Sequence, residues 1–184
     1  MERTETSTRF PLGSKLPDFK LKNVDGREMG SEYLREGKAA LVVFTCNHCP
    51  YVKGSEQMLC RIARRFEGQG LRTVTINSND ATRYPEDSFD KMKEKAAQMG
   101  LPYPYLYDSS QEVARMFDAA CTPECFLFNS KGELVYQGAI NDNPKDPGQV
   151  NQDYLSVAVT QVLAGVKPDP AFVHPLGCSI KWRR

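Results

Sequence analysis

The segment Cys46-Asn47-His48-Cys49 sets two thiols two residues apart with an imidazole between them. Such a pair can cycle between dithiol and disulfide, and its reactivity is governed by how readily one sulfur becomes a thiolate. Immediately upstream, residues 40–45 form an apolar or near-apolar run with two β-branched valines, the pattern of a strand buried on both faces. Downstream of Pro50, residues Val52, Leu59, Ile62, Ala63 and Phe66 fall on one helical stripe, with Gly68 and Gly70 closing it. The sulfurs therefore belong at a strand-to-helix junction. There the unpaired N–H groups and the positive end of the helix dipole favour a thiolate.

The rest of the chain supplies elements that could position this pair. Residues 19–24 alternate like a strand, and Asp25-Gly26 signals a hairpin turn. Residues 71–77 read as a strand, which makes a β-α-β unit with the right-handed crossover such units adopt. Phe89, Met92, Ala96 and Met99 step at helical spacing between Pro85 and Gly100, an additional helix. A short strand over 103–108, a short helix over 111–117 with Val113, Met116 and Phe117 inward, and a hairpin from 126 to 138 follow. Leu155, Ala158, Val159, Val162 and Leu163 give a last amphipathic helix, ended by Gly165 and Pro168. Residues 141–148, rich in Asn, Asp and Pro, form a loop.

Read together, Phe44-Thr45-Cys46-Asn47-His48-Cys49-Pro50 resembles the active-site segment of thioredoxin-fold proteins of the AhpC/TSA-TlpA-like group. A CxxC beside a β-α-β pattern is the general signature of such a redox centre. Residues 12–19 followed by Asp25-Gly26 are similar to the N-terminal hairpin of that group, and Cys121-Thr122-Pro123-Glu124-Cys125 to its cis-proline segment. The tail Gly177-Cys178-Ser179-Ile180-Lys181-Trp182 resembles the end of a bacterial subgroup. The resemblance implies an α/β fold with a central mixed sheet flanked by helices, an N-terminal hairpin and an extra β-α insert. It would make residues 1–184 one domain, with a polar arm over 1–11 and a tail over 166–184 packed on it.

It further implies a thiol–disulfide oxidoreductase. Cys46, exposed at the strand end, would attack a substrate disulfide, and Cys49 would resolve the mixed disulfide. His48 would lower the thiol pKa, and its place before the second cysteine resembles DsbA-type oxidants, implying a more oxidising couple than thioredoxin. Pro123 would pack on the CxxC and expose the Thr122 backbone to pair with a substrate peptide, flanked by Asn47. Cys121 would be either a third thiol near the centre or a buried structural cysteine, with Cys125 in the core and Cys178 a packed or free thiol or part of another bridge. Where thioredoxins carry Trp before the first cysteine and a buried acid six positions before it, this chain has Thr45 and Ala40. Glu124 is therefore the candidate for proton transfer at Cys49.

Composition agrees with that class. At 184 residues the chain can bury about 70% of its unfolded surface, enough to fold without cross-links. Twenty-four Lys and Arg against 23 Asp and Glu leave a formal charge of +1, so no nucleic-acid footprint appears. The polar start and the absence of a long apolar stretch point to a cytoplasmic protein without a membrane partner. In that compartment six cysteines do chemistry rather than staple the fold. Protein or small-molecule thiols and disulfides are the expected partners, with the chain a monomer or weak dimer. The redox-active Cys46–Cys49 disulfide is the only cofactor expected.

Three other readings stay open. A peroxiredoxin-like thiol peroxidase needs Thr three residues before its cysteine, and here that residue is Val43. A zinc site could draw on Cys46, Cys49, Cys121, Cys125 and His48, although the CxxxC spacing suits zinc poorly; no metal is the expectation. A non-catalytic binding module would be expected to have lost one of the two cysteines.

Overall fold

The computed structural model describes residues 5–184. Its elements in chain order are β1 (Lys20–Asn23), β2 (Glu28–Gly30), α1 (Ser31–Arg35), β3 (Ala39–Thr45), α2 (Pro50–Glu67), β4 (Leu71–Asn77), α3 (Phe89–Met99), β5 (Tyr105–Tyr107), α4 (Glu112–Met116), β6 (Cys121–Thr122), β7 (Glu124–Phe128), β8 (Leu134–Gly138), α5 (Tyr154–Leu163), β9 (Phe172–Val173) and β10 (Cys178–Ser179). Strands other than β6 and β10 form one mixed sheet in the order β2-β1-β5-β4-β3-β7-β8-β9.

The run that precedes the cysteines becomes the middle of that sheet. All seven residues of β3 are buried, because the strand pairs in parallel with β4 on one side and antiparallel with β7 on the other. Alternation then divides its side chains. Leu41 and Val43 pack with Leu59, Ile62 and Phe66 of α2 and with Leu155 and Val159 of α5. Ala40, Val42 and Phe44 face an opposite layer with Val113, Phe117, Phe126 and Phe128. Burying each such side chain stabilises the fold by about 1.5–3 kcal/mol, so the end of β3 is a rigid platform.

The helices begin where their local chemistry directs. Cys49 is the N-cap of α2, extended at φ −65°, ψ 129°, and Pro50 occupies the first helical position, where a missing N–H costs nothing. Ser88 caps α3 by accepting the Lys91 N–H at 3.3 Å, and Gly100, at φ 59°, closes it in the left-handed conformation.

Three departures from expectation concern the chain ends and α4. Met116 points outward, 47% exposed, and Ala114 takes the inward position beside Val113 and Phe117. The N-terminal arm is not merely polar: residues 1–4 lie outside the described residues, but Phe10 is buried against the rings of Phe117, Phe126 and Phe128. The tail contributes two strands of its own. β9 extends the main sheet beside β8, and β10 pairs antiparallel with β6, Cys178 opposite Thr122 and Ser179 opposite Cys121. Among the described residues no helix is long and apolar enough to cross a membrane.

Candidate active site

Cys46 and Cys49 come together at the junction of β3 and α2, both fully reduced and both buried. Thr122 lies against the pair: its Oγ1 is 3.6 Å from the Cys46 sulfur, and its carbonyl oxygen is 3.5 Å from the Cys49 sulfur. The Thr122–Pro123 peptide bond is cis. The expectation of an exposed Cys46 is corrected here, because the residue is only 1% accessible. Tyr51, and Cys178 of the C-terminal tail, pack against the cluster of Cys46, Cys49 and Val52.

The two sulfurs hydrogen-bond each other, so ionising one is eased and ionising both is opposed. Cys46 is pushed up, first by its hydrogen bond with Cys49, then by burial and by the negative charge of Asp87. Cys49 is pulled down to about 4, first by the Cys46 hydrogen bond, then by the Cys178 thiol and the N–H groups of Val52 and Cys178. The resting negative charge thus belongs on the sulfur at the helix cap. That is the opposite assignment from the expected Cys46 thiolate, and it follows from the donors gathered around Cys49.

His48 lies against a carboxylate that the sequence alone does not single out. Its Nδ1 lies 2.7 Å from Asp87 Oδ2, and its ring stacks parallel on Tyr84. Asp87 is wholly buried just before α3, where it also accepts the Asn47 N–H at 2.8 Å and the Asn79 side-chain amide at 2.8 Å. Ligand atoms of Cys46, His48 and Asp87 all lie within 4.8 Å of one another, a thiol–imidazole–carboxylate constellation. No comparable grouping among the described residues includes Cys49, Cys121 or Cys125, so the zinc set considered from sequence is not brought together. Because Asp87 opposes charge on Cys46, Asp87→Asn is expected to lower the pH midpoint for alkylation of Cys46, followed by mass spectrometry of the modified peptide. An unchanged midpoint would show that the carboxylate does not act on the sulfur.

Other expected site residues fall differently. Asn47 is anchored within the site: its side-chain amide donates to the Glu86 carbonyl at 3.0 Å and its Oδ1 accepts the Tyr105 hydroxyl at 2.7 Å. Glu124 is a buried strand residue that accepts the Ala120 N–H at 2.9 Å and the Gln137 amide at 3.5 Å. A further carboxylate, Glu56 on the inner face of α2, also feels the charge of Cys49. Glu56 pairs with Lys95 of α3, and Lys95 also donates to the Cys46 carbonyl at 2.8 Å. Cys125 is core, its thiol pushed well up by burial. Cys121 is fully buried in β6, and the Cys178 thiol hydrogen-bonds Cys49. The Thr122 backbone edge expected to receive a visiting peptide is taken by β10 of the same chain.

The mixed sheet, flanking helices and paired thiols ahead of α2 define a thioredoxin-like fold. A thioredoxin-family thiol:disulfide interchange protein from Chlorobium tepidum shares that fold at a TM-score of 0.65 and 20% identity, over 82% of this chain and 97% of that one. The family model of the AhpC/TSA family matches residues 12–137, and the chain belongs to that family. A conserved protein from Geobacillus kaustophilus superimposes with a TM-score of 0.91 at 40% identity, covering 100% of this chain and 96% of that one. The thiol-disulfide oxidoreductase ResA of Geobacillus kaustophilus is 25% identical over 128 residues, 69% of this chain and 68% of its own length.

Proposed function

We propose that the protein is a thiol–disulfide oxidoreductase working through Cys46 and Cys49. The observation that carries this reading is the pair of thiols packed together at the amino end of α2, both against Thr122. Names of relatives in the same family point the same way.

In this reading Cys46 passes its proton to Cys49 across their hydrogen bond and attacks one sulfur of a substrate disulfide. One substrate thiol leaves, and a mixed disulfide remains on Cys46. Cys49 gives that proton to the first departing substrate sulfur and, as thiolate, attacks the Cys46 sulfur; the second substrate sulfur leaves and is protonated by water, so two electrons pass to the substrate and a Cys46–Cys49 disulfide is left. The Thr122 hydroxyl, 3.6 Å from Cys46, favours the thiolate form of that sulfur. The substrates are protein or small-molecule disulfides, the compartment is the reducing cytoplasm, and the exchange requires no cofactor beyond the protein's own sulfurs.

The rival is a peroxidase, which the family frame favours. Position 43, where such an enzyme places a threonine, is a buried valine pointing into the α2 side of the core. Purified protein is expected to reduce disulfides in a thiol-coupled assay, with peroxide consumption at the level of a Cys46→Ser/Cys49→Ser variant. Peroxide turnover without disulfide reduction would replace this reading with the rival.

A further inference from the structure

The reactive pair is sealed while a third sulfur beside it is not. Cys178 is half-buried, whereas Cys46 and Cys49 are 1% and 0% accessible. It hydrogen-bonds Cys49 through its thiol and packs in the same small cluster as Cys46, Cys49 and Val52. Its position is built rather than incidental. β10 is in register with β6 so that Cys178 faces Thr122, the residue that touches both other sulfurs. Gly177 allows this approach: a Cβ there would meet the Thr122 carbonyl oxygen at 2.3 Å. Beyond it, the Ile180 N–H donates to the Ala120 carbonyl at 3.1 Å, the Lys181 N–H to Asn79 Oδ1 at 2.9 Å, and the Arg183 N–H to Gln111 Oε1 at 2.9 Å. The tail thus lies where a visiting strand would pair, with its own cysteine at the sulfurs.

We infer, resting on the thiol–disulfide reading above, that Cys178 is a third redox thiol that draws the disulfide out of the buried pair as a Cys49–Cys178 bond and presents it to external thiols. The Cys178 thiolate attacks the Cys49 sulfur of the Cys46–Cys49 disulfide. The Cys49–Cys178 bond forms as the Cys46–Cys49 bond breaks, the electron pair leaves on Cys46, and the proton given up by Cys178 ends there. This isomerisation transfers no net electrons. An external thiol then attacks the Cys178 sulfur and releases Cys49, and a second external thiol cleaves that mixed disulfide. Two thiols are oxidised to one external disulfide, and the three protein thiols are restored.

The reduced resting state holds Cys178 back. Its thiol is pushed up to about 11, by burial first and then by the hydrogen bond to Cys49. Once Cys49 is in a disulfide, that second cause is gone. The attacking group is thereby freed only when there is a disulfide to attack.

Two variants test the relay in the full chain. Cys46→Ser protein, treated with oxidised glutathione and mapped by peptide mass spectrometry, is expected to carry an internal Cys49–Cys178 disulfide. Cys178→Ser, which keeps the backbone pairing with Thr122, is expected to slow reduction of the Cys46–Cys49 disulfide by reduced glutathione by about tenfold or more, and Cys178→Ala to do the same. Glutathione on Cys49 with Cys178 free, or reduction in both Cys178 variants within about twofold of wild type, overturns the relay while leaving the Cys46–Cys49 reading in place. Wild-type protein that forms no Cys46–Cys49 disulfide under the same oxidation removes both.

Discussion

Cys49→Ser is expected to abolish turnover, by roughly a thousandfold or more, the scale on which loss of a covalent catalytic group acts. Cys49 is the sulfur that both neighbouring thiols contact: it hydrogen-bonds Cys46 and Cys178 and lies 3.5 Å from the Thr122 carbonyl oxygen. Serine at this position still donates to that carbonyl, but it forms no disulfide with either neighbour. Oxidised glutathione should therefore leave a stalled mixed disulfide on the variant rather than an internal bond. The measurement is a disulfide-reduction rate together with intact-protein mass. A variant retaining more than about a tenth of the wild-type rate would show that turnover does not pass through Cys49. Cys46→Ser should be less severe, because Cys49 and Cys178 remain able to pair.

Lys95→Met is expected to cost about 3–5 kcal/mol of folding stability at pH 8, the penalty of stranding a buried charge. Lys95 and Glu56 are 13% and 11% exposed at their side chains, and their ion pair bridges α3 to α2 directly beneath the CxxC. Burial raises the Glu56 pKa, and Lys95 is the chief influence lowering it. Without the lysine, the folded-state pKa climbs further above the unfolded value. A carboxyl raised in this way binds more protons folded than unfolded, so stability falls as pH rises from the unfolded towards the folded pKa. The defect should accordingly be largest at pH 8 and shrink as pH falls through the raised Glu56 pKa, read from urea unfolding at both ends. Adding Glu56→Gln should recover much of the loss. A penalty of equal size at pH 5 and pH 8 would show that lost packing, not the stranded carboxylate, is responsible.

These two predictions mark where the sequence was readable and where it was not. The β3–α2 junction follows from local pattern, since a seven-residue buried strand, a proline at the first helical position and an apolar stripe are all visible within residues 39–67. The hairpin at Asp25-Gly26 and the helix bounded by Ser88 and Gly100 were legible for the same reason. What surrounds the sulfurs was not. Asp87 and Lys95 reach the CxxC from 40 and 49 residues away, and nothing in their neighbours' types distinguishes them from solvent-facing charges. Glu56 did leave a signal: it lies four residues after Val52 and three before Leu59, within the apolar stripe, where a carboxylate demands a buried partner. Glu124 illustrates the reverse. It adjoins the proline that touches the site in related folds, yet strand alternation turns it to the layer of Phe126 and Phe128, towards Ala120 and Gln137. Cys178 could be assigned only once the tail was seen to return to β6.

With Cys46 as the attacking thiol, the docking of the last residues on Asn79, Ala120 and Gln111 would act as a size filter on reaction partners. A bulky protein that must reach Cys46 itself can do so only in the fraction of molecules whose C-terminus has lifted, and its apparent affinity is reduced by that fraction. Small thiols meeting the surface at the half-buried cysteine escape the penalty. Truncation before residue 177 would therefore widen the range of partners and, at the same stroke, forfeit the burial of Ile180.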